Sequence, residues 1–129
     1  EAEQRLSIHT SRQVYNIFYP VMADLPHEEV WILLLNNANK IIKKIQVNRG
    51  NINNSFVDIR LILKEALENL ASKIILCHNH PSNDANPSKE DDDITKKLFQ
   101  AAALMDICLL DHVIVGDGDF YSYRDKNRV

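Results

Sequence analysis

The sequence predicts an α/β domain in which helices cover a mixed sheet, and three observations predict it. Short apolar runs typical of buried strands alternate along the chain with longer stretches whose apolar residues recur at helical spacing. The chain has 129 residues, the size of one ordinary domain, and can bury a single core without disulfide help. Apolar residues make up 45% and charged residues 26%, a globular balance that excludes bulk disorder.

Each element can be justified in turn. Ser11 can cap a helix running to about Met22, with Val14, Ile17, Phe18 and Val21 on one face, and Asp24, Pro26 and His27 break it. Val30–Leu35 is a continuous apolar run of the kind buried on both faces of a sheet. Turn residues from Asn36 to Asn39 lead into Ile41–Val47, which reads as the returning strand of a hairpin. Arg49–Ser55 is a polar loop around Gly50. From Val57 to Ala71, the residues Ile59, Ile62, Leu63, Ala66, Leu67 and Leu70 fall at helical spacing. Ile74–His78 returns to strand, and a loop rich in Pro, Ser and Asn follows from Asn79 to Pro87. Ser88 opens a third helix reaching about Met105, with Ile94, Leu98, Ala101, Ala102 and Met105 inward. Ile107–Leu110 and His112–Val115 both read as strand, either two strands or one with a break. A tight turn at Gly116–Asp119 then leads into a last strand at Phe120–Tyr123.

Composition also excludes function classes. The formal net charge is −3, and the densest basic group (Lys40, Lys43, Lys44 and Arg49) is dispersed, so the charge of this domain does not support nucleic-acid binding. The longest apolar runs, Trp31–Leu35 and Ile74–Cys77, are too short to cross a bilayer, and no signal-peptide succession opens the chain. Cys77 and Cys108 lie in apolar segments and are expected to be reduced, buried thiols of a cytoplasmic protein; two are too few for a cysteine-based zinc site. The chain starts without Met, and residues 1–129 are read as a single domain from a longer protein. No residue pattern specifies an oligomeric state.

The chemistry is concentrated in Cys77-His78-Asn79-His80-Pro81-Ser82 and Ser88-Lys89-Glu90-Asp91. Residues two apart in a strand share a side, so His78 and His80 project together while Asn79 and Cys77 face away. Asp91 lies on the first turn of the next helix, and the loop before it is long enough to fold that turn over the strand end. Two imidazoles and a carboxylate suit Zn²⁺ and leave a fourth position for water, the arrangement of a catalytic site. The spacing admits blander readings. His-x-His at a strand end can be incidental, Ser88-x-x-Asp91 has the spacing of a capping box, and Glu90–Asp93 complements a helix dipole. A deaminase would need a downstream Pro-Cys-x-x-Cys, which is absent. A Mg²⁺- or Mn²⁺-dependent nuclease would need a ligand set richer in carboxylates.

His78-x-His80, ten intervening residues and then Asp91, with Ser88 three positions before it, resembles the JAMM motif of MPN/JAB-domain metalloproteases. The wider segment from His78 through Asn86-Pro87-Ser88 to Asp91 resembles the RadC family in particular. Arg49-Gly50, the Arg60…Lys64-Glu65-Ala66 helix and Leu109–Gly116 fall where that family has similar residues. The similarity runs from about Ser11 to Tyr123. One departure is Asn83, where RadC proteins usually carry Gly after His-Pro-Ser; Asn tolerates left-handed backbone angles better than most residues.

The resemblance implies an MPN/JAB-like fold of cytidine-deaminase-like layers. It implies Zn²⁺ on His78, His80 and Asp91, Glu28 as general base with Glu29 the nearby alternative, and Ser88 as hydrogen-bond donor to an oxyanion. It implies a hydrolase acting on a protein or peptide amide or isopeptide. The family is historically named for DNA repair, which gives the rival reading: a binding or scaffolding module with an idle metal site. Asp111-His112, also typical of the family, is read as a self-satisfied structural pair.

Overall fold

The apolar runs Val30–Leu35 and Lys73–Asn79 form the middle of a sheet because both of its faces are covered. The computed structural model describes residues 5–48 and 57–129. Its elements are α1 (Ser11–Met22), β1 (Val30–Leu35), β2 (Ile41–Asn48), α2 (Ile59–Glu68), β3 (Lys73–Asn79), α3 (Lys89–Leu104), β4 (Cys108–Val115) and β5 (Phe120–Ser122). The five strands lie in the order β2-β1-β3-β4-β5. β1 runs antiparallel to both β2 and β3, β3 is parallel to β4, and β5 returns antiparallel to β4. This is the mixed α/β sheet that the alternation predicts. The Arg49–Ser55 loop lies outside the described residues.

Alternate residues of the central strands feed two cores. Ile32 and Leu34 of β1, with Ile74 and Leu76 of β3, pack under α2 and α3 against Ile62, Ala66, Leu98 and Ala102. Leu33, Leu35, Ile75 and Cys77 turn to the other face, where α1 supplies Val14, Phe18 and Met22. The apolar stripes of the helices therefore decide which face each one covers.

Several local expectations change. Thr10, not Ser11, caps α1: its hydroxyl accepts from Gln13 N–H at 3.2 Å, and the Gln13 side chain accepts from Thr10 N–H at 3.0 Å. Ser11 Oγ, one residue inside the helix, donates to Asp125 instead. α2 is shorter than its apolar periodicity. Asp58 caps it through Arg60 N–H, and the chain leaves the helix at Asn69 with Leu70 left-handed (φ 50°), so Leu67 and Leu70 stay exposed. Met105, read as inward, is the C-cap of α3 and is exposed. Cys77 is buried as expected, but Cys108, the first residue of β4, is exposed rather than buried.

The break expected near Asp111 is a β-bulge. Ile74 pairs with Leu109 and Ile75 with Asp111, so Leu110 is skipped in the register. A bulge inserts one residue and inverts the alternation beyond it. Leu109 packs under α2 and α3, whereas Val113 and Val115, which unbroken alternation would place on the same face, pack under α1. The bulge thereby turns His112 to the face that carries His78.

Leu98 of α3 is fully buried in the first core, whereas Leu104 at the end of the same helix is exposed. Leu98→Ala should lower the unfolding free energy by about 2–5 kcal/mol. Leu104→Ala should change it by less than about 0.5 kcal/mol, read from urea denaturation. Equal effects at the two positions would contradict this packing.

Candidate metal centre

His78 is the penultimate residue of β3, and His80 follows on the same side one residue past its end. Their Nε2 atoms lie 3.2 Å apart. Asp91 arrives from the first turn of α3, with Oδ1 3.1 Å from His78 Nε2 and Oδ2 3.0 Å from His80 Nε2. The three residues form a group that can hold a metal ion, with one ligand atom from each and all within 4.8 Å of one another. They are buried or nearly so.

The loop that brings Asp91 back is held at both ends. Asn83 is left-handed (φ 70°), a conformation that Asn tolerates better than most residues. Asn83 N–H bonds the His80 carbonyl and His80 N–H bonds Val115. A side chain at Gly116 would meet the Asn83 carbonyl oxygen at 2.8 Å, so only glycine lets β4 and the loop approach this closely. Ser88 and Asp91 close a capping box: Ser88 Oγ accepts from Asp91 N–H at 3.1 Å, and Asp91 Oδ2 accepts from Ser88 N–H at 2.9 Å. The capping and ligand readings of this spacing are thus compatible, because the cap is what orients the carboxylate.

Charge balance follows the geometry. Burial acts to raise the Asp91 pKa, but hydrogen bonds from His78 and His80 outweigh it and hold the carboxyl far below the ordinary range. Burial disfavours a charged His80, and hydrogen bonds to Asp91 and to the Asp84 carbonyl, with Glu28 nearby, overcome that and leave its pKa raised. Burial, with the His78 imidazole alongside, pushes His112 well below its ordinary value.

His112 departs from its expected role. Asp111 and His112 do not satisfy each other through their side chains. Asp111 faces the α1 side and accepts from the main-chain N–H of His112 and Arg124 and from Ser122 Oγ, while burial raises its pKa. The His112 ring lies on the opposite side, with Nε2 2.9 Å from His78 Nδ1 and Nδ1 2.5 Å from Thr95 Oγ1. Tyr123 stacks on it at 4.9 Å and 4°. The sequence signal was the strand break at Asp111, whose effect on side-chain parity no spacing rule reveals.

Glu28 and Glu29, undivided in sequence, are placed differently. Asn79, the residue between the two histidines, accepts from Glu29 N–H at 2.7 Å and donates to the His27 carbonyl at 3.1 Å, which pins residues 27–29 beside the end of β3. The Glu29 carboxylate is engaged by Trp31 Nε1 at 3.0 Å and His27 Nε2 at 3.2 Å. Glu28 lines a cavity of about 830 Å³ together with His78, His80, Ser88 and Asp91. Val30, Val57, Leu76 and Ile94 give that cavity an apolar wall, and Glu90, Asp93 and Lys97 also line it.

These features define a JAB-type α/β domain with a candidate metal centre at the end of its central strands. A family model described as the RadC-like JAB domain matches residues 8–128, and the chain belongs to that family. A UPF0758 protein of Flavobacterium johnsoniae is 46% identical over 119 residues, which are 92% of this chain and 52% of that protein. Another from Porphyromonas gingivalis is 43% identical over 127 residues, 98% of this chain and 56% of that one. A third, from Methanosarcina mazei, is 38% identical over 127 residues, again 98% and 56%. The chain spans about half the length of the curated relatives it matches. No helix among the described residues is long and apolar enough to cross a membrane.

The attraction between His80 and Asp91 gives a pH-dependent prediction for metal-free protein. A raised His80 pKa contributes stability that is fully present below the free value of 6.5 and is lost as pH rises through the folded value. The depressed Asp91 pKa contributes stability that is present above the free value of 3.8 and is lost only as pH falls through the folded value. The advantage of wild type over Asp91→Asn in urea unfolding should therefore be larger at about pH 5.5 than at about pH 8. An advantage independent of pH would contradict the pairing.

Proposed function

We propose that this domain is a zinc-dependent hydrolase of the metallopeptidase or isopeptidase type, acting on a protein or peptide substrate. The observation that carries the reading is a group of two imidazoles and a carboxylate, its ligand atoms all within 4.8 Å of one another, that shares one cavity with Glu28 and Ser88. Bonds of about 2.0–2.1 Å from a tetrahedral zinc would set neighbouring donor atoms about 3.3 Å apart. The two imidazole Nε2 atoms lie 3.2 Å apart, and each meets a different oxygen of the Asp91 carboxylate, at 3.1 and 3.0 Å. Two imidazoles and one carboxylate also form the donor set that leaves a fourth position open.

Zinc held there would supply Lewis acidity and lower the pKa of a water to about 7. Glu28 would take the proton of the attacking water and return it to the leaving amine. Its carboxylate suits that task better than that of Glu29, whose oxygens are occupied by Trp31 and His27. Ser88 Oγ accepts the capping bond from Asp91 N–H, so the same bond that fixes the oxygen leaves the hydroxyl proton to donate to the substrate oxyanion. The apolar wall of Val30, Val57, Leu76 and Ile94 would keep bulk water from the scissile bond.

The test is a screen of zinc-loaded protein against peptide and isopeptide libraries, with Glu28→Gln and Glu29→Gln beside wild type. Wild type should turn over at least one class of bond, and Glu28→Gln should lose about 10²–10⁴-fold in kcat with zinc still bound. Glu29→Gln should stay within about threefold of wild type, since its carboxylate is held away from the reaction. Loss in Glu29→Gln alone would move the base to that residue. No turnover by fully loaded wild type would favour a binding module.

A further inference from the structure

Both candidate histidine ligands offer the same atom, Nε2, but they are held differently at Nδ1. His80 Nδ1 lies 2.7 Å from the Asp84 carbonyl oxygen. A carbonyl only accepts, so His80 carries a proton on Nδ1, and Nε2 is the nitrogen that can exchange its bond to Asp91 for a metal. His78 Nδ1 lies 2.9 Å from Nε2 of His112, and an imidazole nitrogen can play either part.

Thr95 decides between them. Its hydroxyl has one proton and lies 2.6 Å from the Asp91 carbonyl oxygen and 2.5 Å from His112 Nδ1. The carbonyl can only accept, so the hydroxyl proton goes there and the hydroxyl oxygen accepts from His112 Nδ1–H. His112 is fully buried, and among the described residues no carboxylate touches either of its ring nitrogens. A neutral ring with its one proton on Nδ1 satisfies these contacts, whereas a charged ring would be buried without a counterion. Nε2 of His112 is then bare and accepts from His78 Nδ1–H. With Nδ1 protonated, Nε2 of His78, the atom that meets Asp91 and His80, is the nitrogen that can give its lone pair to a metal in place of its bond to Asp91.

We propose that His112 and Thr95 are positioning residues for the metal centre. They carry a one-way hydrogen-bond chain from His78 to the main chain of Asp91, and that chain holds His78 in its metal-binding tautomer. The bulge in β4 puts His112 on this face, and the stacked Tyr123 ring restrains its rotation. The chain ends on the turn that carries Asp91, so one network ties two ligands from different elements. The inference rests on the metal-site reading above and not on hydrolysis.

Thr95→Val keeps the shape of the side chain but removes the acceptor of His112 Nδ1–H. The His112 proton then gains by moving to Nε2, where it forces His78 to accept at Nδ1 and to protonate the nitrogen needed for metal. Long-range ¹H–¹⁵N correlation spectra of metal-free wild type should place a proton on Nδ1 of both His78 and His112 and none on Nε2 of His112. Zn²⁺ affinity, measured by competition with a chelator, should fall about 10–100-fold in Thr95→Val and stay near wild type in Thr95→Ser, which keeps the hydroxyl. A His112 proton on Nε2, a doubly protonated His112, or a Thr95→Val protein that binds zinc as tightly as wild type would overturn the proposal. Neither readout uses turnover. Zinc-loaded protein that hydrolyses nothing would leave the chain standing, whereas a wrong tautomer would overturn the chain and leave the hydrolase reading intact.

Discussion

Asp91 is a carboxylate drawn largely out of water at the first turn of a helix, and the arrangement around it answers that constraint. Taking an anion out of water is costly unless hydrogen-bond donors and positive charge replace the solvent. Here the replacement is the Ser88 N–H, the N-terminal end of α3, and two imidazoles from the neighbouring strand. Each donor is delivered by a different structural decision: the cap by the start of α3, the imidazoles by the alternation of β3, and the closeness of the two elements by a loop that needs Gly116 beneath it. The compensation brings together the donor set that a divalent cation would use.

The parts of this site that rest on short-range rules were legible in the sequence. Alternation along a strand places His78 and His80 on one side whatever the rest of the fold does, and the capping spacing from Ser88 puts Asp91 on a first turn. The apolar runs of β1 and β3 could be read because strands covered on both faces need no polar alternation. Boundaries were less legible. The α2 stripe continues past the end of the helix, since periodicity cannot register the left-handed turn at Leu70.

What escaped depended on register and on long-range contact. The parity of His112 depends on one skipped residue opposite Ile74 and Ile75, and only the pairing of β3 with β4 exposes it. The distinction between Glu28 and Glu29 depends on Asn79, which lies 50 residues from Glu29 in sequence yet holds its main chain. Strand alternation predicts that Asn79 points away from the histidines. It does so, and from there it fixes the segment that brings Glu28 to the cavity. The exposure of Cys108 is likewise illegible, because an apolar neighbourhood in sequence does not reveal that the first residue of a strand stands at the sheet's end.

The central claim is that His78, His80 and Asp91 form a metal centre, and elemental analysis of purified protein tests it most directly. Wild type, reconstituted with Zn²⁺ and freed of excess, should retain about one ion per chain. His80→Ala and Asp91→Ala should each lose it while circular dichroism reports an intact fold. Wild-type protein that holds no zinc after reconstitution, or variants that hold as much as wild type, would contradict the account.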